Sequence, residues 1–117
     1  MAIYFLFSGI AVADYDSALA WYTRFFGRSP DTIVAENEAM WQVTDGGYIY
    51  VVGDATRAGK SLLTLMVDDL EIHVTDLKQK GLETSAIETV PGLYRKAEIT
   101  DPDGNRISLG QELDIDT

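Results

Sequence analysis

The sequence contains no cysteine, a single histidine and few basic residues. The absence of cysteine excludes disulfides, thiolate metal sites and cysteine nucleophiles, although it does not decide the compartment. Lys and Arg together number 9 against 19 Asp and Glu, which gives a formal charge of −10 at pH 7. Such a charge disfavours binding to the phosphates of nucleic acid and favours a neutral or cationic partner.

Long hydrophobic runs and a basic leader are also missing. The apolar residues 2–13 are too few to span a bilayer, and no Lys or Arg precedes Arg24, so we do not interpret them as a signal peptide. The sequence therefore predicts a cytoplasmic protein with no membrane contact. Its 117 residues, 46% of them hydrophobic, are enough for one folded domain with a buried core.

The spacing of hydrophobic residues predicts alternating strands and helices. Two helices each begin after a capping aspartate and end at a glycine, one from Asp14 to about Gly27 and the other from Asp69 to Gly81. Glycine-containing turns separate several of the strands. The predicted strands are residues 3–12, 32–35, 39–44, 48–52, 62–67, 84–90, 94–100 and 106–110.

These elements repeat in the order strand, helix, strand, strand, strand. Asp14 and Asp69 are 55 residues apart, and the turn residues Asp45 and Asp101 are 56 apart. We therefore predict an α+β fold in which two βαβββ repeats form curved mixed sheets around a cleft. In this interpretation residues 1–117 are a single domain, with repeat 1 at about residues 3–53, repeat 2 at about residues 61–111, and an acidic tail at residues 112–117.

Three stretches of the chain carry a family resemblance. They are residues 12–27, which begin Val-Ala-Asp-Tyr-Asp-Ser, residues 67–70, which read Val-Asp-Asp-Leu, and residues 101–109, which begin Asp-Pro-Asp-Gly-Asn. In combination they resemble the vicinal oxygen chelate superfamily, which includes glyoxalase I, extradiol dioxygenases, fosfomycin-resistance enzymes and bleomycin-binding resistance proteins. The resemblance implies paired βαβββ modules, a homodimer and a pocket in each half-barrel.

The metal-dependent members of this superfamily hold four ligands, drawn from His, Glu and sometimes Gln or Tyr, at equivalent strand positions. The corresponding positions here are Phe7, Leu62, Ser108 and a position near Val51 that is uncertain by one residue. Phe, Leu and Val do not coordinate cations, and a lone serine hydroxyl is a poor ligand for a divalent metal. The sequence therefore predicts no metal, no cofactor and no catalytic residues, and it favours a binding protein over an enzyme.

Aromatic side chains suit the predicted cleft for flat or hydrophobic ligands. Phe7 shares a strand face with Phe5 and Gly9, and the resemblance implies that this face looks into the cleft. Trp41 and Tyr50 are further candidates whose direction depends on strand register. Aromatic rings bind planar groups by stacking and cations by cation–π contact. The predicted ligand-binding residues are Phe7, Trp41, Tyr50, Val51, Leu62 and Ser108.

Two kinds of function remain open. The first is a metal-independent protein that binds a small aromatic or cationic molecule and resembles the bleomycin-type antibiotic-sequestering resistance proteins. The alternative is an enzyme similar to the glyoxalases or dioxygenases, a lyase or isomerase with an atypical site. An interaction module that keeps the fold only for dimerisation is a third possibility. The expected partners are the small molecule and a second copy of the chain, with no nucleic acid and no membrane.

Overall fold

A computed structural model describes residues 1–113 of the chain. These residues contain eight strands and two helices, and they group into two compact units. The first unit comprises residues 1–61 and 101–105, and the second comprises residues 62–100 and the segment from residue 106 onward. Within the described residues, no helix is long and apolar enough to cross a membrane.

The first unit is a four-stranded sheet with one helix on one of its faces. Its strands lie in the order β1-β4-β3-β2, with β1 parallel to β4 and the other neighbours antiparallel. Its elements are β1 (Leu6–Val12), α1 (Tyr15–Phe26), β2 (Thr32–Ala35), β3 (Glu38–Thr44) and β4 (Gly47–Gly53).

Helix α1 begins and ends where the sequence predicts, because both of its caps are local signals. The Asp14 side chain accepts a hydrogen bond from the Ser17 backbone N–H at 3.2 Å, and Gly27 ends the helix at a φ of 75°. The helix buries one stripe of side chains, as the helical period requires. The ring centroid of Trp41, on the sheet, is 6.4 Å from the ring centroid of Tyr22 and 5.1 Å from that of Phe26. The core of this unit therefore lies between α1 and one side of the sheet.

The second unit repeats the same arrangement. Its sheet has the order β5-β8-β7-β6, again with one parallel pair, β5 and β8. Asp69 caps its helix by accepting a hydrogen bond from the Ile72 backbone N–H at 3.2 Å. The two βαβββ repeats and the α+β class are thus confirmed. The elements are β5 (Leu62–Met66), α2 (Leu70–Gln79), β6 (Glu88–Val90), β7 (Tyr94–Thr100) and β8 (Arg106–Glu112).

Three predicted strand limits were wrong by two residues or more. β1 begins at Leu6 rather than residue 3, because its pairing with β4 begins at the pair Leu6 and Gly47. β6 is reduced to residues 88–90, which are the only part of the predicted strand 84–90 in the ladder with β7. β8 continues to Glu112, which pairs with Tyr94, although the sequence assigned this residue to the tail. Residues 114–117 of the predicted tail lie outside the described residues.

The turn at residues 101–105 belongs to the first unit and is built around a buried carboxylate. Asp101 accepts hydrogen bonds from the Tyr22 hydroxyl at 2.7 Å, from Asn105 Nδ2 at 2.8 Å and from two backbone N–H groups of the turn at 2.9 Å. Asn105 Nδ2 also donates to the Ala11 carbonyl at 2.9 Å. Burial, followed by the bond to Asp101, raises the pKa of Tyr22 far above its usual range. Asp101 and Asn105 therefore have a structural role.

Candidate functional site

The side of the first sheet opposite α1 carries a set of aromatic residues. In the ladder between β1 and β4, Phe7 pairs with Tyr48 and Gly9 pairs with Tyr50. In the ladder between β3 and β4, Met40 pairs with Tyr50. Paired residues share a face, and alternate residues along a strand return to that face. We call this side of the sheet, defined by Phe7, Gly9, Met40, Tyr48 and Tyr50, the aromatic face.

Three rings at one end of the aromatic face form a cluster that remains accessible. Phe7 and Tyr48 stack with centroids 4.8 Å apart and an interplanar angle of 15°. Phe5, which precedes β1, and Tyr48 are arranged edge to face, with ring centroids 5.7 Å apart. Phe7 is 52% exposed and Phe5 is 47% exposed. Exposed clusters of large apolar side chains on a folded unit are typical of binding surfaces.

The aromatic face carries little charge. Among the described strand residues of the first sheet, Glu38 is the one charged side chain on this side, and it pairs with Val52, two residues beyond Tyr50. Gln42, the partner of Tyr48, donates its side-chain amide to the Asp45 carbonyl at 3.0 Å. The face therefore combines π surfaces with a single carboxylate, an arrangement that suits an aromatic cation.

Two of the predicted ligand-binding residues lie on the other side of this sheet. Trp41 and Val51 are both 0% exposed, and the alternation of their strands directs them to the side covered by α1. The Trp41 indole N–H donates to the Arg28 carbonyl at 3.0 Å, so its polar atom also has an internal partner. Both residues belong to the core, where a ligand on the opposite side of the sheet does not reach them.

The ladders also identify which residue of the first repeat corresponds to Ser108. Phe7 pairs with Tyr48, and its counterpart Leu62 pairs with Arg106. Ser108 follows Arg106 by two residues, so its counterpart is Tyr50, two residues after Tyr48. The sequence-based position, Val51, was one residue too far, within its stated uncertainty. The corrected position lies on the same face as Phe7.

Leu62 and Ser108 lie together on the helix-free side of the second sheet. Leu62 pairs with Arg106 and is 75% exposed, while Ser108 is half-buried and pairs with Thr64. The Ser108 hydroxyl donates to Glu98 at 3.4 Å, and Arg106 donates to the same carboxylate at 3.0 Å. The bond from Arg106 is the main cause that lowers the pKa of Glu98. This side of the second sheet therefore carries an ion pair beside the exposed Leu62, whereas Glu38 is the one charged residue on the described strands of the aromatic face.

The titratable groups do not converge on a metal-binding arrangement within residues 1–113, where no three His, Asp or Glu side chains are grouped to hold an ion. His73, the single histidine of the chain, lies on α2, and its Nε2 is 2.9 Å from an Asp68 oxygen. This bond lowers the pKa of Asp68. A surface groove beside α2 contains none of the predicted site residues and is lined by Glu71, Ile72, Thr75, Asp76 and Gln79.

Sequence reasoning did not single out Tyr48 or Glu38 as site residues. The signal for Tyr48 is present in the chain, since it precedes Tyr50 by two residues and must share its face in a regular strand. Glu38 required the ladder between β3 and β4, because only that register shows which side of the sheet it occupies.

Comparison with known proteins places this geometry in a family. The sequence profile of the Glyoxalase/Bleomycin resistance protein/Dioxygenase superfamily matches residues 4–109. A glyoxalase/bleomycin resistance protein from Catenulispora acidiphila DSM 44928 is 37% identical, with a TM-score of 0.87 over 93% of this chain and 98% of that chain. No curated protein sequence matches significantly.

Two further solved structures share the fold at lower identity. TnmS3, an antibiotic binding protein from Streptomyces sp. CB03234, is 23% identical, with a TM-score of 0.79 over 97% of this chain and 99% of that chain. A bleomycin-binding protein complexed with bleomycin is 21% identical, with a TM-score of 0.76 over 92% of this chain and 98% of that chain. Together with the profile match and the 37% identical structure, the chain therefore belongs to the glyoxalase/bleomycin resistance protein/dioxygenase superfamily.

Proposed function

We propose that this protein binds a small aromatic cation without a metal ion and that the aromatic face is where the ligand binds. The observation that carries the proposal is the stacked pair of Phe7 and Tyr48, which stays accessible at a position where the family resemblance implies a metal ligand. A phenyl ring in place of a metal ligand offers a stacking surface to a flat ligand.

The donor chemistry of the four implied positions supports binding without a metal. Phe7 and Leu62 offer no donor atom, and the remaining two positions offer only the Tyr50 phenol and the Ser108 hydroxyl. Divalent ions in proteins are held mainly by imidazole, thiolate, carboxylate and carbonyl groups, and Tyr50 is the one residue of a ligand type that the resemblance implies. Two hydroxyl groups form a poor site by that standard.

The charge of the protein supports a cationic ligand. The chain carries a formal charge of −10, and Glu38 is the charged residue on the described strands of the aromatic face. A negative protein raises the local concentration of a cation and speeds its capture. Stacking and cation–π contact then act at short range, each contributing on the order of 0.5–2 kcal/mol.

Sequestration is the biological role that follows from such binding. A protein that binds an antibiotic protects by mass action and needs only affinity and abundance. Its relatives with this fold include an antibiotic binding protein and a bleomycin-binding protein, which supports an antibiotic as the natural ligand. Leu62 and Ser108 remain proposed ligand contacts on the second sheet, considered within their own unit, and we propose a cytoplasmic location.

We further propose that the chain forms a homodimer. Several large apolar side chains are more than half exposed in the single chain, which favours their burial by a second copy. Sedimentation equilibrium tests this, and a monomer at micromolar concentration would contradict it. Outside the proposed ligand contacts, these exposed residues include Ile3, Tyr4, Leu6, Ile33, Met66, Ile72 and Leu93.

Isothermal titration calorimetry tests the proposed function. Both tryptophans are buried, so heat is a safer signal than their fluorescence. We expect bleomycin or at least one planar cation from a panel to bind with a Kd below about 1 mM. Phe7→Ala should weaken that binding about tenfold. Leu93→Ala removes another exposed apolar side chain, in the turn between β6 and β7, and should leave the affinity unchanged.

The same samples separate binding from the enzymatic alternative. The family description names glyoxalases and dioxygenases beside a resistance protein, so membership alone does not choose between them. Elemental analysis of the purified protein that finds one Zn, Ni, Mn or Fe per chain would favour an enzyme and overturn the proposal. Failure of every compound in the panel to bind would overturn it as well.

A further inference from the structure

Gly9 lies directly beneath the end of the Tyr50 side chain. A Cβ atom at residue 9 would be 2.5 Å from Tyr50 Cζ and 2.6 Å from its hydroxyl oxygen, which is far inside van der Waals contact. Gly9 is not among the glycines with positive φ, so the backbone itself does not require glycine here. The missing side chain at residue 9 is therefore what allows the Tyr50 ring to lean across β1 and lie low on the sheet.

One step along the same two strands, the rings are arranged differently. The centroids of Phe7 and Tyr48 are 4.8 Å apart and the rings are nearly parallel. Neighbouring strands are also about 4.7–4.9 Å apart. Two rings that face each other at the strand spacing must stand upright on their strands. The aromatic face thus has an upright wall, formed by Phe7 and Tyr48, beside a low floor, formed by Tyr50 above Gly9.

We propose that Gly9 is a specificity-determining residue that selects planar, fused-ring cations. This inference rests on the proposed function, since it concerns the ligand of the same face. A fused-ring cation can lie flat on the exposed part of the Tyr50 ring with one edge against the wall. The carboxylate of Glu38 lies beyond Tyr50 on the same face and supplies a counter-charge. A cation whose rings radiate in several directions cannot lay its plane across this floor.

Two cationic probes test the selection by shape. Acridine orange is a planar fused-ring cation, and tetraphenylphosphonium is a cation with four radiating rings. We expect the wild-type protein to bind acridine orange at least about tenfold more tightly. Gly9→Ala should displace the far end of the Tyr50 side chain, which is free to rotate, so the protein should still fold. The variant should lose about tenfold in affinity for acridine orange and keep its affinity for tetraphenylphosphonium within about twofold.

Matched variants separate the effect of the Tyr50 floor from a general disturbance of β1. Ser8→Ala alters the neighbouring residue of β1, which points to the side covered by α1, and should leave both affinities unchanged. If thermal unfolding shows that Gly9→Ala does not fold, Tyr50→Leu removes the floor ring directly and should abolish the preference for the planar probe. Tyr50→Phe keeps the ring and should retain the preference.

The outcomes separate this inference from the proposed function. A wild-type protein that binds neither probe contradicts the inference, and the proposed function falls as well only if no compound of the calorimetry panel binds. A wild-type protein that binds both probes equally contradicts only the inference. Retention of the planar preference by Gly9→Ala, or by Tyr50→Leu, also contradicts only the inference.

Discussion

The buried hydrogen bond between Tyr22 and Asp101 offers a quantitative test of the first unit. Tyr22→Phe removes the hydroxyl that donates to the Asp101 carboxylate at 2.7 Å and leaves the ring in place. Asp101 retains three other hydrogen bonds, so no charge is left without a partner. A buried hydrogen bond to a charged group contributes about 1.5–3 kcal/mol. We expect Tyr22→Phe to lower the free energy of unfolding by about 1.5–2 kcal/mol, near the lower limit.

Asp101→Ala should lower the free energy of unfolding considerably more than Tyr22→Phe does. It leaves the buried Tyr22 hydroxyl without its acceptor and removes the acceptor of two backbone N–H groups in the turn. Because each buried donor left without an acceptor costs about 1–3 kcal/mol, the loss should be at least about 3 kcal/mol, a large part of the roughly 5–15 kcal/mol that stabilises a typical domain. In the double variant the two effects should fall short of their sum by about 1–2 kcal/mol, because both remove the same bond.

Urea unfolding followed by circular dichroism measures these energies. Tyr48→Phe, which removes a hydroxyl from the aromatic face, serves as the matched control and should change stability by less than about 0.5 kcal/mol. A Tyr22→Phe variant as stable as this control would refute the reasoning. So would full additivity of Tyr22→Phe and Asp101→Ala, since uncoupled residues do not share a bond.

Three further measurements follow from the same contacts. Burial and the bond to Asp101 raise the pKa of Tyr22 above its ordinary value of 10.0, so the native state keeps a proton that the unfolded chain loses. Stability should therefore be intact below about pH 10 and fall above it by an extra ~1.4 kcal/mol per pH unit, and Tyr22→Phe should lack this extra slope in urea titrations at high pH. The Gln42 backbone N–H, followed by Arg28, lowers the pKa of Asp31, so its contribution to stability is present above about pH 4 and lost as the pH falls further. The free energy of unfolding of Asp31→Asn should therefore fall less steeply as the pH is lowered. A pH dependence equal to that of the wild type below about pH 4 would contradict this. Gly59 and Gly92 both have positive φ, but a Cβ at Gly59 would lie 2.3 Å from the Asp103 carbonyl oxygen whereas nothing lies within 4 Å at Gly92. In thermal unfolding, Gly92→Ala should lower the free energy of unfolding by about 1 kcal/mol, and Gly59→Ala should lower it by about 1–3 kcal/mol more. Equal losses would show that the close contact at residue 59 is relieved without an energetic cost.

Local signals explain what the sequence predicts well. Asp14 and Gly27 determine the ends of α1 through bonds to residues within one turn, so no knowledge of the rest of the chain is needed. The pairing limits of β1 and β8 depend instead on where β4 and β7 lie. Residues 3–5 have the composition of a strand, yet the strand is defined by its partners.

Register explains why two of the predicted site residues lie in the core. A shift of one residue exchanges the two faces of a strand, and this separates Val51 in the core from Tyr50 on the aromatic face. The ladder between β3 and β4 contains an irregularity between Gln42 and Thr44, so counting back from the turn does not give the side on which Trp41 lies. Both sides of this sheet carry large apolar residues, so hydrophobicity alone does not identify the buried side.

The central claim is that the ligand binds on the aromatic face. Its most direct test is the NMR spectrum of the aromatic side chains of the full chain during titration with acridine orange. Aromatic ¹H–¹³C correlation spectra report each ring separately. A ligand stacked on the aromatic face should shift the resonances of Phe7, Tyr48 and Tyr50 in a saturable manner, while those of the buried Trp41 stay in place. Binding that leaves the Phe7, Tyr48 and Tyr50 resonances unchanged would contradict the account.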